Sequence, residues 1–180
     1  MISAGTSAIE RGDFAIVALT AHTTTRSARM SISPVTVRRV GSIPTAVIRR
    51  RLEPGEGSRV VPECCGLVWN ALRAQKLKGG HNLALYRDSG RFVEAGVELT
   101  TPFAVQGDIV ISELPACEAA SAIHLGPYQG LGAAHEAIHR WCAENGRALA
   151  GACWEIYGHW QTEWDDAPSK IRTDVFYELA

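Results

Sequence analysis

The sequence predicts an α+β fold: duplicated β-α-β-β-type repeats whose antiparallel sheet carries two helices on one side, around a central cleft. Three observations lead there. The 180 residues are 46% hydrophobic and 21% charged, enough apolar material for one compact core. Runs with strand and helix periodicity follow one another as strand, strand, helix, strand, strand, and then repeat. Finally, Pro44 and Pro115, Tyr86 and Tyr157, and Leu67 and Ile138 all stand 71 residues apart, which marks an internal duplication.

Residues 1–32 are rich in Ser, Thr and Ala without sustained periodicity and read as a poorly ordered extension. From 33 the pattern is regular, with halves at about 33–102 and 107–180. Val35–Val40 and Thr45–Leu52 are β-branched runs bounded by turn residues, hence strands. From Val60 to about Lys78, Val61, Cys64, Val68, Leu72 and Leu77 trace an apolar helical stripe; Pro62 falls in its first turn and Gly79-Gly80 stop it. His81–Arg87 and Arg91–Leu99 form a hairpin about Asp88-Ser89-Gly90, with Glu94 and Glu98 on one face. The second half repeats this as strands Asp108–Leu114 and Ala116–Leu125, a helix Gly130–Asn145 ended by Gly146, and strands Ala152–Trp160 and Lys170–Leu179.

Composition excludes several function classes. A net charge of −1 gives no reason to expect direct nucleic-acid binding. The basic run Arg49-Arg50-Arg51, with Arg38 and Arg39, reads as a solvated sheet edge. No apolar run reaches the roughly 18 residues of a membrane span, and Glu10, Arg11 and Asp13 ahead of Phe14–Leu19 do not suit a signal peptide. Five cysteines without a CxxC pair suit reduced thiols, so a cytoplasmic setting is expected. No Walker loop, GxGxxG or GxSxG is present and no cofactor is called for.

The residue demanding explanation is Glu155, a carboxylate inside the aromatic strand Trp154-Glu155-Ile156-Tyr157. An unpaired buried charge is costly. Its repeat equivalent is Ala84, so a cleft on the pseudo-two-fold axis would be charged on one side only. Tyr157 shares the strand face of Glu155, whereas Trp154 and Ile156 face away. With Trp141 or Trp69 approaching from the helices, an aromatic cage around one negative charge suits a lipophilic cation, each ring face contributing about 0.5–2 kcal/mol. The alternative is an ion pair with Arg172 and aromatics that are only core.

His135-Glu136-Ala137-Ile138-His139 satisfies HExxH and would place two histidines on one helix face. A zinc protease also needs a third ligand, and neither Cys142 nor Gly146 fits the extended form, so the pattern reads as coincidence and no metal is expected. Cys-His chemistry with Cys142 or Cys153 stays open, though nothing marks either thiol as activated.

Leu114-Pro115, His124-Leu-Gly-Pro-Tyr128, the helix to Trp141, Glu144-Asn-Gly146 and Trp154-Glu-Ile-Tyr157 resemble the GyrI-like effector-binding domain, the small-molecule module of AraC- and MerR-type regulators. The resemblance runs from about 33 to 180. It implies binding of bulky, cationic or aromatic small molecules at Glu155, with Tyr157, Trp141, Trp69, Tyr86, Tyr128 and Trp160 as candidate ligand contacts. It also implies a stand-alone role, since residues 1–32 cannot supply a DNA-binding domain. Drug sequestration is the leading reading. Hydrolysis of cyclopropane-bearing alkylators, with Glu155 as general base and Tyr157 polarising the ring, is the second; gyrase inhibition through a protein partner is the third. A homodimer is left open.

Overall fold

The computed structural model describes residues 30–180; residues 1–29, including most of the expected extension, lie outside the described residues. Nine strands, β1 (Ser31–Ile32), β2 (Thr36–Val40), β3 (Ile43–Arg51), β4 (Gly79–Arg87), β5 (Phe92–Leu99), β6 (Ile109–Leu114), β7 (Cys117–Leu125), β8 (Leu149–Tyr157) and β9 (Arg172–Leu179), form one sheet. Two helices, α1 (Gly57–Ala74) and α2 (Gly132–Glu144), complete the fold. Every pairing is antiparallel, in the order β1-β7-β9-β8-β4-β5-β3-β6, with β2 also on β7. Ser31 and Ile32, assigned by sequence to the extension, are thus paired with Leu125 and His124.

The register shows how the duplication is used. β4 meets β8 at the centre, pairing Asn82 with Tyr157, Ala84 with Glu155 and Tyr86 with Cys153. A shift of 71 exchanges the first and last pairs and maps Ala84–Glu155 onto itself, so the pseudo-two-fold axis passes between those two residues. Each half also lends its first strand to the other: β2 pairs with β7 and β6 with β3. Irregularities at Gly79/Asn82 and Leu149/Cys153 stand at corresponding places in β4 and β8.

Alternation divides the sheet into two apolar faces. Ala46, Ile48, Ala84, Val93, Ala95 and Val97 meet Val60, Val61, Cys64, Cys65, Val68 and Leu72 of α1. Ala120, Ala122 and Val175 meet Ala134, Ile138 and Cys142 of α2 on the same face. The other face carries Val47, Leu83, Leu85, Trp154 and Phe176, with the Trp154 and Phe176 rings stacked at 5.2 Å.

Helix boundaries depart from the periodicity reading. α1 begins at Gly57, so Pro62 stands in its second turn and forfeits one intrahelical hydrogen bond. It ends where Lys76 takes a left-handed φ of 56°, and Gly79-Gly80 open β4 rather than stop the helix. The equivalent turn of α2 uses Gly146 at φ 60°, as expected. Nor is the arginine run on an edge strand. β3 is interior, but its pairing with β6 stops at Ile48, and Arg49–Arg51 overhang, with Arg49 paired to Glu94 and Arg50 to Asp108. Among the described residues no helix is long and apolar enough to cross a membrane.

Gly96 faces Val47 and Leu83 on its two sides, and a Cβ there would lie 2.0 Å from the Ala46 carbonyl oxygen. Backbone cannot retreat as a side chain can. Gly96→Ala is therefore expected to lower stability by about 3 kcal/mol or more, read by urea denaturation, whereas Gly132→Ala, with nothing within 4 Å, should change it little.

Candidate functional site

On the helix-bearing face the two central strands place Tyr86, Cys153, Glu155 and Tyr157 together. Glu155 is 5% exposed. Its Oε2 accepts hydrogen bonds from the Tyr86 hydroxyl at 3.2 Å and from the Tyr157 hydroxyl. Its Oε1 lies 2.8 Å from Nε2 of His135, in the first turns of α2. Among the described residues no Lys or Arg pairs with this carboxylate, and the expected alternative partner, Arg172, grips Asp174 through two bonds of 2.8 Å. The two strands supply the floor, while α2 supplies the remaining donor.

The helix histidines extend the contact outward. His135 Nδ1 is 2.9 Å from the Tyr177 hydroxyl on β9, and His139 Nε2 is 3.0 Å from that same oxygen. A continuous line of hydrogen-bonding groups thus runs from buried Glu155 through His135 and Tyr177 to exposed His139. This is what HExxH does here: its histidines sit on one helix face as the spacing requires, and they engage a tyrosine and a carboxylate. Among the described residues no three potential metal ligands come together.

The other sequence candidates divide. Tyr128, in the turn before α2, meets the Tyr157 ring edge to face at 5.8 Å and stays partly exposed. Trp69 of α1 donates its indole N–H to Asn82 Oδ1 at 2.7 Å, directly across from Tyr157, and packs with Tyr86 and Tyr157 on the α1 core. These two border the central group. Trp141 does not: it lines a cavity of about 430 Å³ with Ile32–Val35 at the outer side of α2. Trp160 lies in the connection after β8 and packs edge to face on Trp164 at 5.6 Å. Sequence proximity to Glu155 misplaced both, because α2 presents Ala134 and Ile138 to the sheet and the chain leaves it at Gly158. A second cavity, about 410 Å³, opens on the far face beside Ile156 and Phe176. The axis itself is occupied by the Glu155 cage rather than by either of these openings.

Neither His135 nor Tyr177 was expected beside Glu155. The first was visible as one of the two HExxH histidines on the predicted helix; the second required knowing that β9 aligns Tyr177 with Cys153.

Protonation follows from this crowding. Burial, reinforced by the Glu155 charge, drives the Tyr86 and Tyr157 hydroxyls well above the usual phenol range, and burial does the same for Tyr177. Burial raises Cys153 to about 11, so at neutral pH it is a thiol and not an activated nucleophile. One row further out His124 and Thr173 pair across β7 and β9. Both are fully buried; His124 donates to Pro127, leaving its Nδ1 and the Thr173 hydroxyl without protein partners.

Unfolded tyrosine loses its proton near pH 10, whereas the folded protein keeps these protons to higher pH. The folded state then binds more protons, and stability is complete below about pH 10 and falls above it. We expect a loss of up to about 1.4 kcal/mol per pH unit for each such tyrosine, measured as urea midpoints on the alkaline side. Tyr86→Phe and Tyr157→Phe should each flatten that dependence.

Comparisons with other proteins agree with this architecture. The C-terminal domain of EcmrR superposes with a TM-score of 0.66 at 21% identity, covering 81% of this chain and 96% of that domain. EcmrR in its DNA complex gives a TM-score of 0.65 at 20% identity, over 82% of this chain and 57% of that one. SAV2435 bound to tetraphenylphosphonium gives 0.55 at 13% identity, over 81% and 93%. No curated protein matches the chain. Residues 33–179 match the GyrI-like small molecule binding domain, and the chain belongs to that family.

Proposed function

We propose that the unit spanning residues 33–180 binds or sequesters bulky hydrophobic, cationic aromatic molecules at Glu155. The observation that carries this reading is the buried carboxylate whose partners are two phenols and an imidazole, with no permanently charged counter-ion among the described residues. Hydroxyl donors make a carboxylate tolerable in the core, but they leave its charge uncompensated. A cation supplies that compensation, and Tyr86, Tyr157, Tyr128 and Trp69 offer the ring faces and edges that would receive its apolar groups. The tetraphenylphosphonium bound by SAV2435, a protein of similar fold, has this chemistry: one delocalised positive charge inside an aromatic shell. Because Glu155 is enclosed, entry requires the Tyr128 side of the cage to open.

Tryptophan fluorescence tests the proposal. Saturable quenching by tetraphenylphosphonium is expected in the wild type, with affinity reduced at least about tenfold, or about 1.4 kcal/mol, in Glu155→Gln. A neutral isostere of the same size should bind weakly and equally to both proteins. Equal affinity for the cation in both proteins would sink the reading.

A second reading uses the same groups. Glu155 as base beside the proton-bearing Tyr157 hydroxyl forms an acid-base pair suited to hydrolysing a strained electrophile. Turnover of a cyclopropane-bearing alkylator by the wild type, abolished in both Glu155→Gln and Tyr157→Phe, would favour it over simple binding.

A further inference from the structure

We propose that His135 determines ligand affinity at the Glu155 cage as an exchangeable counter-ion: a cation entering the cage replaces the His135 proton, so binding releases one proton and weakens in acid. This deepens the cationic reading above and rests on it.

The argument begins with position. His135 Nε2 lies 2.8 Å from Glu155 Oε1, and His135 is the only group in salt-bridge contact with that carboxylate among the described residues. Histidine changes charge between about pH 5 and pH 8. When protonated, His135 forms an ion pair with Glu155 and neutralises the site. A second positive charge then meets a neutral pair and is repelled by an imidazolium a few ångströms away. When neutral, His135 still donates Nε2–H to Glu155, and the carboxylate keeps its net charge for the ligand.

The surroundings leave this exchange to His135. Through Glu155 it is coupled to Tyr86 and Tyr157, whose raised phenols stay neutral across that pH window. β9 presents Tyr177 and β8 presents Cys153, both likewise neutral there. β7 brings Ala120 and Ala122 beneath α2 and, at the end of the same face, the fully buried His124, whose Nε2 donates to the Pro127 carbonyl. The remaining titratable neighbour is His139, one turn on, which is exposed and bonded to Tyr177. Glu136, between them in sequence, is exposed.

His139 also gives the proton an exit. In the protonated state His135 Nδ1–H donates to the Tyr177 oxygen, and the Tyr177 O–H donates to His139 Nε2. As the cation enters, the Nδ1 proton moves to Tyr177, the Tyr177 proton moves to His139 Nε2, and His139 gives its Nδ1 proton to water. Each group ends neutral, with His139 Nε2–H donating to Tyr177 and Tyr177 O–H donating to His135 Nδ1. One proton has left and no other bond has changed. The half-buried His135 can therefore discharge through Tyr177 and His139.

The test uses tetraphenylphosphonium, which has no proton to lose, so any pH dependence belongs to the protein. Calorimetric titration in two buffers of different ionisation enthalpy should show wild-type protein releasing up to one proton in acid. Affinity should fall on the acid side, towards tenfold per pH unit. In His135→Gln, which keeps an amide donor but cannot charge, proton release should vanish and acid-side affinity should exceed that of the wild type. Nitrogen NMR of the wild type gives a readout independent of any variant's folding: at acidic pH, saturation should convert the His135 ring from imidazolium to neutral imidazole. Binding without proton release, an unchanged pH slope in His135→Gln, or an imidazolium that survives saturation would overturn the inference while leaving cation binding intact. Absence of binding at every pH would overturn the cation reading itself, and this inference with it.

Discussion

A single carboxylate held off water at the meeting line of two repeats is the constraint on which this molecule turns. Glu155 has little solvent to stabilise its charge, so protein donors must do so. Two come from the central strands and one from α2. Each donor is fixed by the scaffold: Tyr157 by alternation along β8, Tyr86 by its place across from Cys153, His135 by α2 lying over β7 and β9. Removing any of them would leave a buried acceptor short, a loss of about 1–3 kcal/mol for a neutral group and more for a charge.

The exchanged strands explain how such a site stays in register. Were each half to keep its own first strand, the halves would meet only through β4 and β8. Exchange adds β2 to β7 and β6 to β3, so each half is tied to the other at three places. A one-residue slip at the central pair would turn Glu155 to the far face and bring Trp154 under the helices. The far face resists that: Trp154 is stacked on Phe176 and nearly fully buried there. Packing on one side of the sheet thereby fixes the polar geometry on the other.

Much of this was legible in the residues. Strand periodicity, turn residues and the 71-residue offset pointed to the repeats and made Ala84 the repeat equivalent of Glu155; that the two also pair across the axis came from the register. The resemblance carried by Trp154-Glu-Ile-Tyr157 identified the family. What failed was whatever depended on direction in three dimensions. Trp141 and Trp160 are near Glu155 in sequence, yet helix phase and chain exit carry them elsewhere. His135 and His139 were seen but read as chance, because a five-residue pattern cannot reveal that its helix lies over a carboxylate and a tyrosine. Tyr177 carried no local signal at all. The closure of α1 by Lys76 escaped detection because a lysine in the left-handed region is uncommon, whereas Gly79-Gly80 nearby offered an obvious but unused stop.

The asymmetry at the axis has a physical cause. Residues directly opposed in an antiparallel pair have Cβ atoms about 4.5–5.5 Å apart. Two glutamates at 84 and 155 would therefore crowd two charges into one low-dielectric site, and such pairs share a proton rather than ionise fully. The shared proton would leave one net charge with a doubled volume, filling the space that the covering rings occupy. Alanine at 84 avoids both penalties. It packs among the α1 core residues with no exposure and leaves the donors of both repeats aimed at a single acceptor. Duplication thus supplies two equivalent places at the axis, and electrostatics allows only one to be charged. That turns a symmetric scaffold into a site with one pole, faced by the His135 imidazole at 2.8 Å.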